Sequence, residues 1–536
     1  MKKIISVILA VLMVFSMAAP AMAFNVANPE LENPMVYIRG AGKELYRYEN
    51  GIVSEDDVIY PVSVDTDAII DALKPITEDL VKGMLTDDYK EYVDTVYEVF
   101  APIFEDVVLD NNGNVKFPSG NGPQDEINSR PNSYRVWDNN FGFDFRLSLL
   151  DTADELKAYI EQTSVATGGK KVAVLGRCLA TNLMAAYLTK YTDHARQYVS
   201  NIILYVPATD GVDFISKLFS GQLKIQSGNI DAFVEYLIEG KALIEDPTLS
   251  SFITIMVEML NYAKVLGLGL DAFQILVDRL QGELIPKLGL ASFLSFPAYW
   301  SMVNPEDYEA AKKLVFEGQK EEYEGLIKKI DDYHYGVQKD FNTLLKQLND
   351  EGMKVSVIAK YNIPNIPISE ASNRLGDFMA STKQLSYGAT TADHGNVLAQ
   401  SYIDSLSDKK YLSPDNKIDA STCLFPDTTW FMKNNLHDDF PDDGNRLIKQ
   451  IVDAQGHTTV FDSEEWPQYV EYIPVEGADE GVFVPVVGTD ADADKPAEGS
   501  GEERFSIFIR FFTSILNFFT KLFSGEFSFG DLFNKD

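Results

Sequence analysis

Cysteine is nearly absent from this chain, with two in 536 residues. That excludes a disulfide scaffold and a cysteine-rich zinc module. Histidine is scarce too, at five residues, so metal chemistry has few donors. Positive charge is short: 46 Lys and Arg stand against 81 Asp and Glu, a formal charge of −35. A chain this acidic repels phosphate backbones, and nucleic acid is not an expected partner. Against these shortages, 45% of the residues are hydrophobic and 12% aromatic. A large core is available, and a wholly disordered chain is excluded. The length is enough for two or three domains.

The N-terminus reads as a signal for export. Lys2 and Lys3 precede an apolar run from Ile4 to Phe15, and Ala21-Met22-Ala23 supplies the small residues of a cleavage site. The run is short for a membrane span, and no cysteine follows it to carry a lipid anchor. Residues 1–23 are therefore expected to be a signal peptide, and the mature protein to be secreted or extracellular.

Beyond it, apolar strands alternate with helical periodicity. PMVYIR (34–39) is a strand followed by Gly40-Ala41-Gly42. Residues 66–105 carry helical spacing in Ile69, Ile70, Leu73, Ile76, Leu80 and Val81. Residues 109–134 read as loop and Tyr134 to Trp137 as a brief strand. A helix over about 152–163 leads to the strand KVAVL (171–175), a helix after Gly176, and the strand NIILYV (201–206). This alternation predicts an α/β fold with a mostly parallel sheet. From Thr209 to Glu351 strand signals almost vanish, which predicts a helical cap inserted into the core. KVSVIA (354–359) resumes the sheet, so 24–208 and 352–475 are read as the two parts of one core. Residues 476–503 are rich in acids, with Lys495 the single base, and read as a solvated linker. Residues 504–536 are rich in phenylalanine. Phe505, Phe508, Phe512, Ile515, Phe519 and Leu522 fall on one helical face, which predicts an amphipathic helix that meets a membrane surface or a partner.

The chemistry centres on Val172-Ala173-Val174-Leu175-Gly176-Arg177-Cys178-Leu179-Ala180. An apolar strand ends in Gly-x-Cys-x-Ala and a helix begins at once, the pattern of a nucleophile elbow. Small residues at Gly176 and Ala180 let the strained turn close. The helix N-terminus favours a thiolate at Cys178, and Arg177 adds positive charge beside it.

These segments resemble lipase-type α/β hydrolases of the lecithin–cholesterol acyltransferase-like group. Phe143-Asp144-Phe145-Arg146 resembles the family's Tyr-Asp-Trp-Arg turn, Gly176 to Ala180 its Gly-His-Ser-Met-Gly elbow, and Arg39-Gly40-Ala41-Gly42 its oxyanion loop. The resemblance runs over about residues 34–475 and is vaguest in the cap. Three departures stand out at the elbow: Ser is replaced by Cys178, His by Arg177, and the last Gly by Ala180. The resemblance implies an α/β-hydrolase fold with a nucleophile, acid and base in that chain order. Gly376-Asp377, after the late strand, resembles the acid loop, with Asp393 the alternative acid. His437, after Pro426-Asp427-Thr428-Thr429-Trp430, resembles the base, with His394 as the alternative. His194 reads as a surface residue and His334 as part of the cap. The oxyanion hole would be the N–H of Leu179 with one from Ala41 or Gly42.

The expected function is hydrolysis or transfer of an ester, with a lipid-like acyl substrate, through Cys178, His437 and Asp377, and with no metal or organic cofactor required. A non-catalytic binding protein on the same fold is the alternative. A Cys178–Cys423 disulfide would abolish the chemistry.

Overall fold

The computed structural model describes residues 31–40, 44–49, 52–60, 62, 75–76, 78–80, 82–121, 140–226, 232–233, 236, 270–454, 458–475 and 481–488. The predicted signal peptide, the strand at Tyr134 to Trp137, His457 and the Phe-rich tail lie outside the described residues.

The strands follow in chain order as β1 Met35–Ile38, β2 Leu45–Glu49, β3 Ile52–Tyr60, β4 Ser119–Asn121, β5 Asn140–Phe141, β6 Val172–Arg177 and β7 Val199–Tyr205. After the helical excursion come β8 Lys354–Tyr361, β9 Thr390–Thr391, β10 Ile418–Asp419, β11 Thr429–Lys433, β12 Tyr469–Ile473 and β13 Val482–Pro485. Eight of them form the central sheet in the order β13-β12-β11-β8-β7-β6-β1-β5. Neighbours in it are parallel except at the β12–β13 edge, which is antiparallel. The chain is thus an α/β protein with a mostly parallel sheet.

The middle strands are near-continuous apolar runs because both faces of a parallel sheet are covered. VAVLG of β6, NIILY of β7 and VSVIAKY of β8 are buried throughout. The helix Leu149–Ala166 is capped by Ser148, whose Oγ accepts from the N–H of Asp151. It packs against the helix Leu179–Lys190, and both pack on β6.

Among the described residues no strand interrupts the stretch between β7 and β8, as expected. It holds the helices Asp213–Phe219, Leu270–Leu290, Tyr308–Phe316 and Glu324–Gly336. The expected boundary at Glu351 needs correction. Helix Phe341–Asp350 packs on β8 and on Leu179–Lys190, so it is the crossover helix of the core. A second correction concerns the linker: Val482–Pro485, placed in it by the acidic flanks, pairs with β12 as the edge strand of the sheet. A third concerns residues 44–60 and 119–121, which form a small sheet in the order β3-β2-β4 that periodicity did not reveal. No helix among the described residues is long and apolar enough to cross a membrane.

Candidate active site

Cys178 sits between the end of β6 and the first residue of helix Leu179–Lys190, with φ 52° and ψ −127°. A non-glycine residue there is strained by roughly 1–3 kcal/mol and needs its surroundings to hold it. They do so on both sides. Its N–H donates to the carbonyl of Tyr205 on β7 at 3.1 Å, and its carbonyl accepts from the N–H and Oγ1 of Thr181 at 2.9 and 2.6 Å. Gly176 is required by the turn: a Cβ there would lie 3.1 Å from the Ala180 carbonyl oxygen and 3.2 Å from the Thr181 nitrogen. Leu179 opens the helix, so its N–H has no helical carbonyl to bond. The chain leaving β1 passes against the elbow, since a Cβ on Gly40 would lie 3.9 Å from the Cys178 Cβ. Ala41 and Gly42 lie outside the described residues.

Asp377 follows β8 in a loop folded back on Ile363. It is fully buried. Its Oδ1 accepts from the N–H groups of Met379 and Ala380 at 3.2 and 2.9 Å, which leaves Oδ2 for His437 Nδ1 at 2.5 Å. His437 follows β11. Its backbone N–H donates to the Asp377 carbonyl at 3.0 Å, so side chain and main chain are both aligned on the acid. Its Nε2 is buried and has no hydrogen-bond partner. Cys178 is near enough to act on the imidazole's charge. Burial pushes the imidazole pKa down, but the charges of Asp377 and Cys178 and the hydrogen bond from Asp377 overcome it and hold it well above the ordinary value.

Asp377, His437 and Cys178 therefore meet, from loops that follow β8, β11 and β6. The alternatives stand elsewhere. Asp393 is exposed, and His394 bonds through its backbone to Asn373. His194 pairs with the Tyr187 hydroxyl at 2.9 Å, and His334 is stacked on Tyr308 in the helical insert. Both cysteines are free, so Cys178 is not tied to Cys423. Burial raises Cys423 to about 12, which makes it inert.

Arg177 does more than add charge near the thiol. Its Nη1 donates to the Asp438 carbonyl at 3.0 Å and its Nη2 to Asp438 Oδ1 at 3.3 Å, so the residue before Cys178 grips the residue after His437. Desolvation opposes its charge, but Tyr37, Asp438 and Cys178 outweigh it and keep the guanidinium protonated.

The turn at Phe143 to Arg146 is held by its own buried ion pair. Arg146, 1% exposed, forks onto Asp144 and also bonds the Val107 carbonyl and Ser119. That fixes Phe145, which packs on Tyr60, Phe296 and Tyr299 at ring distances of 5.1, 6.4 and 6.1 Å. Tyr299 lies within the electrostatic reach of Cys178. From the insert, Phe233 stacks on Phe378, the residue after the acid, at 5.4 Å.

Lys360, Tyr205 and Asp438 are contacts of this site that sequence reasoning missed. Lys360 had a signal: it is a lysine inside the apolar run VSVIAKY. The chain matches no family model, no curated protein and no solved structure.

Proposed function

We propose that the protein is an α/β-hydrolase-fold enzyme that hydrolyses or transfers esters with lipid-like acyl groups, using Cys178 as nucleophile. The observation that carries the reading is the Asp377–His437 hydrogen bond with Cys178 acting on the same imidazole, the cysteine being held at positive φ on a strand-to-helix turn. Nucleophile, acid and base also occur in the chain order of that fold.

In this reading Cys178 Sγ attacks the acyl carbonyl while His437 Nε2 holds the thiol proton. The carbonyl oxygen gathers charge opposite the Leu179 N–H, with a second N–H from the loop after Gly40. Collapse of the tetrahedral species breaks the ester C–O bond and leaves a thioester. The departing alkoxide takes the proton from His437. Water or a second alcohol, deprotonated by His437, then releases the acyl group and restores the thiol. Asp377 keeps the imidazole oriented and stabilises its charge. The lipid-like acyl substrate is what the resemblance implies. Export and surface association of the Phe-rich tail belong to the same proposal.

A non-catalytic binding role has one observation in its favour. A polar cleft of about 1030 Å³, lined by Asp210, Asp213, Gln281, Asn304, Arg374 and Gln384 among others, does not include Cys178. The test that separates the readings is hydrolysis of p-nitrophenyl esters of increasing chain length, with the acyl-enzyme trapped at low pH and its mass measured. Acylation lost in Cys178→Ala supports the enzyme. No acylation of the wild type, with small molecules retained by both proteins, supports binding.

A further inference from the structure

Lys360 lies on β8 with no exposed surface. Its Nζ donates to the carbonyls of Leu436 at 2.5 Å, His437 at 3.1 Å, and Asp439. The Tyr205 ring lies 4.9 Å from the ammonium, and the Tyr205 hydroxyl donates to the Asp439 carbonyl at 3.1 Å. With Arg177 on the Asp438 carbonyl, every carbonyl from 436 to 439 is held by a side chain from β6, β7 or β8. Three strands of the sheet thus fix the peptide frame that carries His437.

An ammonium has three protons, and here three main-chain oxygens receive them. An apolar residue would take the donor from the buried His437 carbonyl, while the Leu436 and Asp439 carbonyls keep the Asp439 N–H and the Tyr205 hydroxyl, and a neutral amine offers one proton too few for all three. We propose that Lys360 is a positioning residue for the Cys178–His437 pair: its ammonium locks the loop 436–439 so that the imidazole faces the thiol, and loss of that charge loosens the site. This rests on the reading of Cys178 and His437 as nucleophile and base.

The charge is poised. Burial pulls Lys360 down to about 7, although Asp439, Asp377 and Asp438 favour the charged form; Arg177 opposes it. The other groups that face it are His437, through its carbonyl, and Tyr205. As pH rises through about 7 the ammonium deprotonates, the clamp loses one donor, and turnover falls. His437 titrates well above its ordinary value, so a neutral-range step belongs to the lysine.

The test compares the full chain with Lys360→Met and Lys360→Arg in p-nitrophenyl ester hydrolysis across neutral pH, with the histidine ring signals followed by NMR. Lys360→Met is expected to lower kcat by about 10-fold to 10²-fold at mildly acid pH with KM little changed, as for a misplaced catalytic group, and to lose the step near 7. Lys360→Arg stays charged, so its activity persists above neutrality. With few histidines, the His437 signal can be assigned by substitution and needs no turnover. A wild-type His437 signal that steps near 7, absent in Lys360→Arg, supports the clamp even in a protein that hydrolyses nothing, a result that would reject the esterase reading alone. An active wild type with no step near 7 in either readout overturns the clamp even where Lys360→Met does not fold. Unchanged kcat, pH profile and His437 signal in Lys360→Met overturn it as well.

Discussion

At residue 178 a φ of 52° and a ψ of −127° suit glycine better than cysteine. Cys178→Gly is expected to abolish thioester formation and yet raise the thermal midpoint, because strain worth about 1–3 kcal/mol is relieved. Scanning calorimetry of the two proteins checks this; a lower midpoint in the glycine variant contradicts the strain. The Asp377–His437 pair predicts a pH dependence of stability. The folded imidazole has its pKa raised, so the pair's contribution is complete below the unfolded value of about 6.5 and disappears as pH climbs through the folded value. Asp377→Asn should therefore lower the thermal midpoint more in mild acid than in alkali. It should also cut turnover by up to roughly 10⁴-fold, the scale found when a triad acid loses its charge. Equal midpoint losses at both pH values would contradict the ion pair.

Among the elements, the acid loop depends on Gly376, where a Cβ would fall 2.0 Å from Asn365 Oδ1. Gly376→Ala is expected to displace Asp377 and cost about 1–3 kcal/mol as an overpacked core site, with esterase activity lost ahead of the fold. Circular dichroism beside an activity assay separates the two effects. Elements of this kind were legible where one segment carries its own signal. VAVLG, NIILY and VSVIA are apolar runs that only a covered parallel strand explains. Gly176-x-Cys178-x-Ala180 names its own turn, because the residues that must be small are neighbours in sequence. Asp377 and His437 were legible from order and resemblance. What stayed hidden depends on partners far along the chain. Lys360 receives its role from carbonyls at 436, 437 and 439. Val482–Pro485 is a strand because Tyr469–Ile473 presents an edge, while its acidic neighbours argue for solvent. The short β4 and β5 have too few residues to show any period.

For the whole molecule, the edge strand places the end of the sheet past residue 475. A chain stopped at 475 strips β13 and leaves the β12 edge unpaired. It is expected to melt lower and aggregate, whereas a chain stopped at residue 488 keeps the midpoint of the full protein; light scattering during a thermal ramp reports both. If the Phe-rich tail meets a membrane surface, the full chain is expected to co-sediment with lipid vesicles and the chain stopped at residue 488 is not. The neighbouring parallel pair of β7 and β8 has a different consequence. The helical excursion leaves the sheet at one strand and returns at the next, so its length is not set by the ladder it interrupts. Doubling such a detour costs only about 0.6 kcal/mol in closure entropy. The insert is in effect an exchangeable cassette: its length and sequence can change within one contiguous stretch of gene while the pairing of β7 with β8 is inherited unchanged.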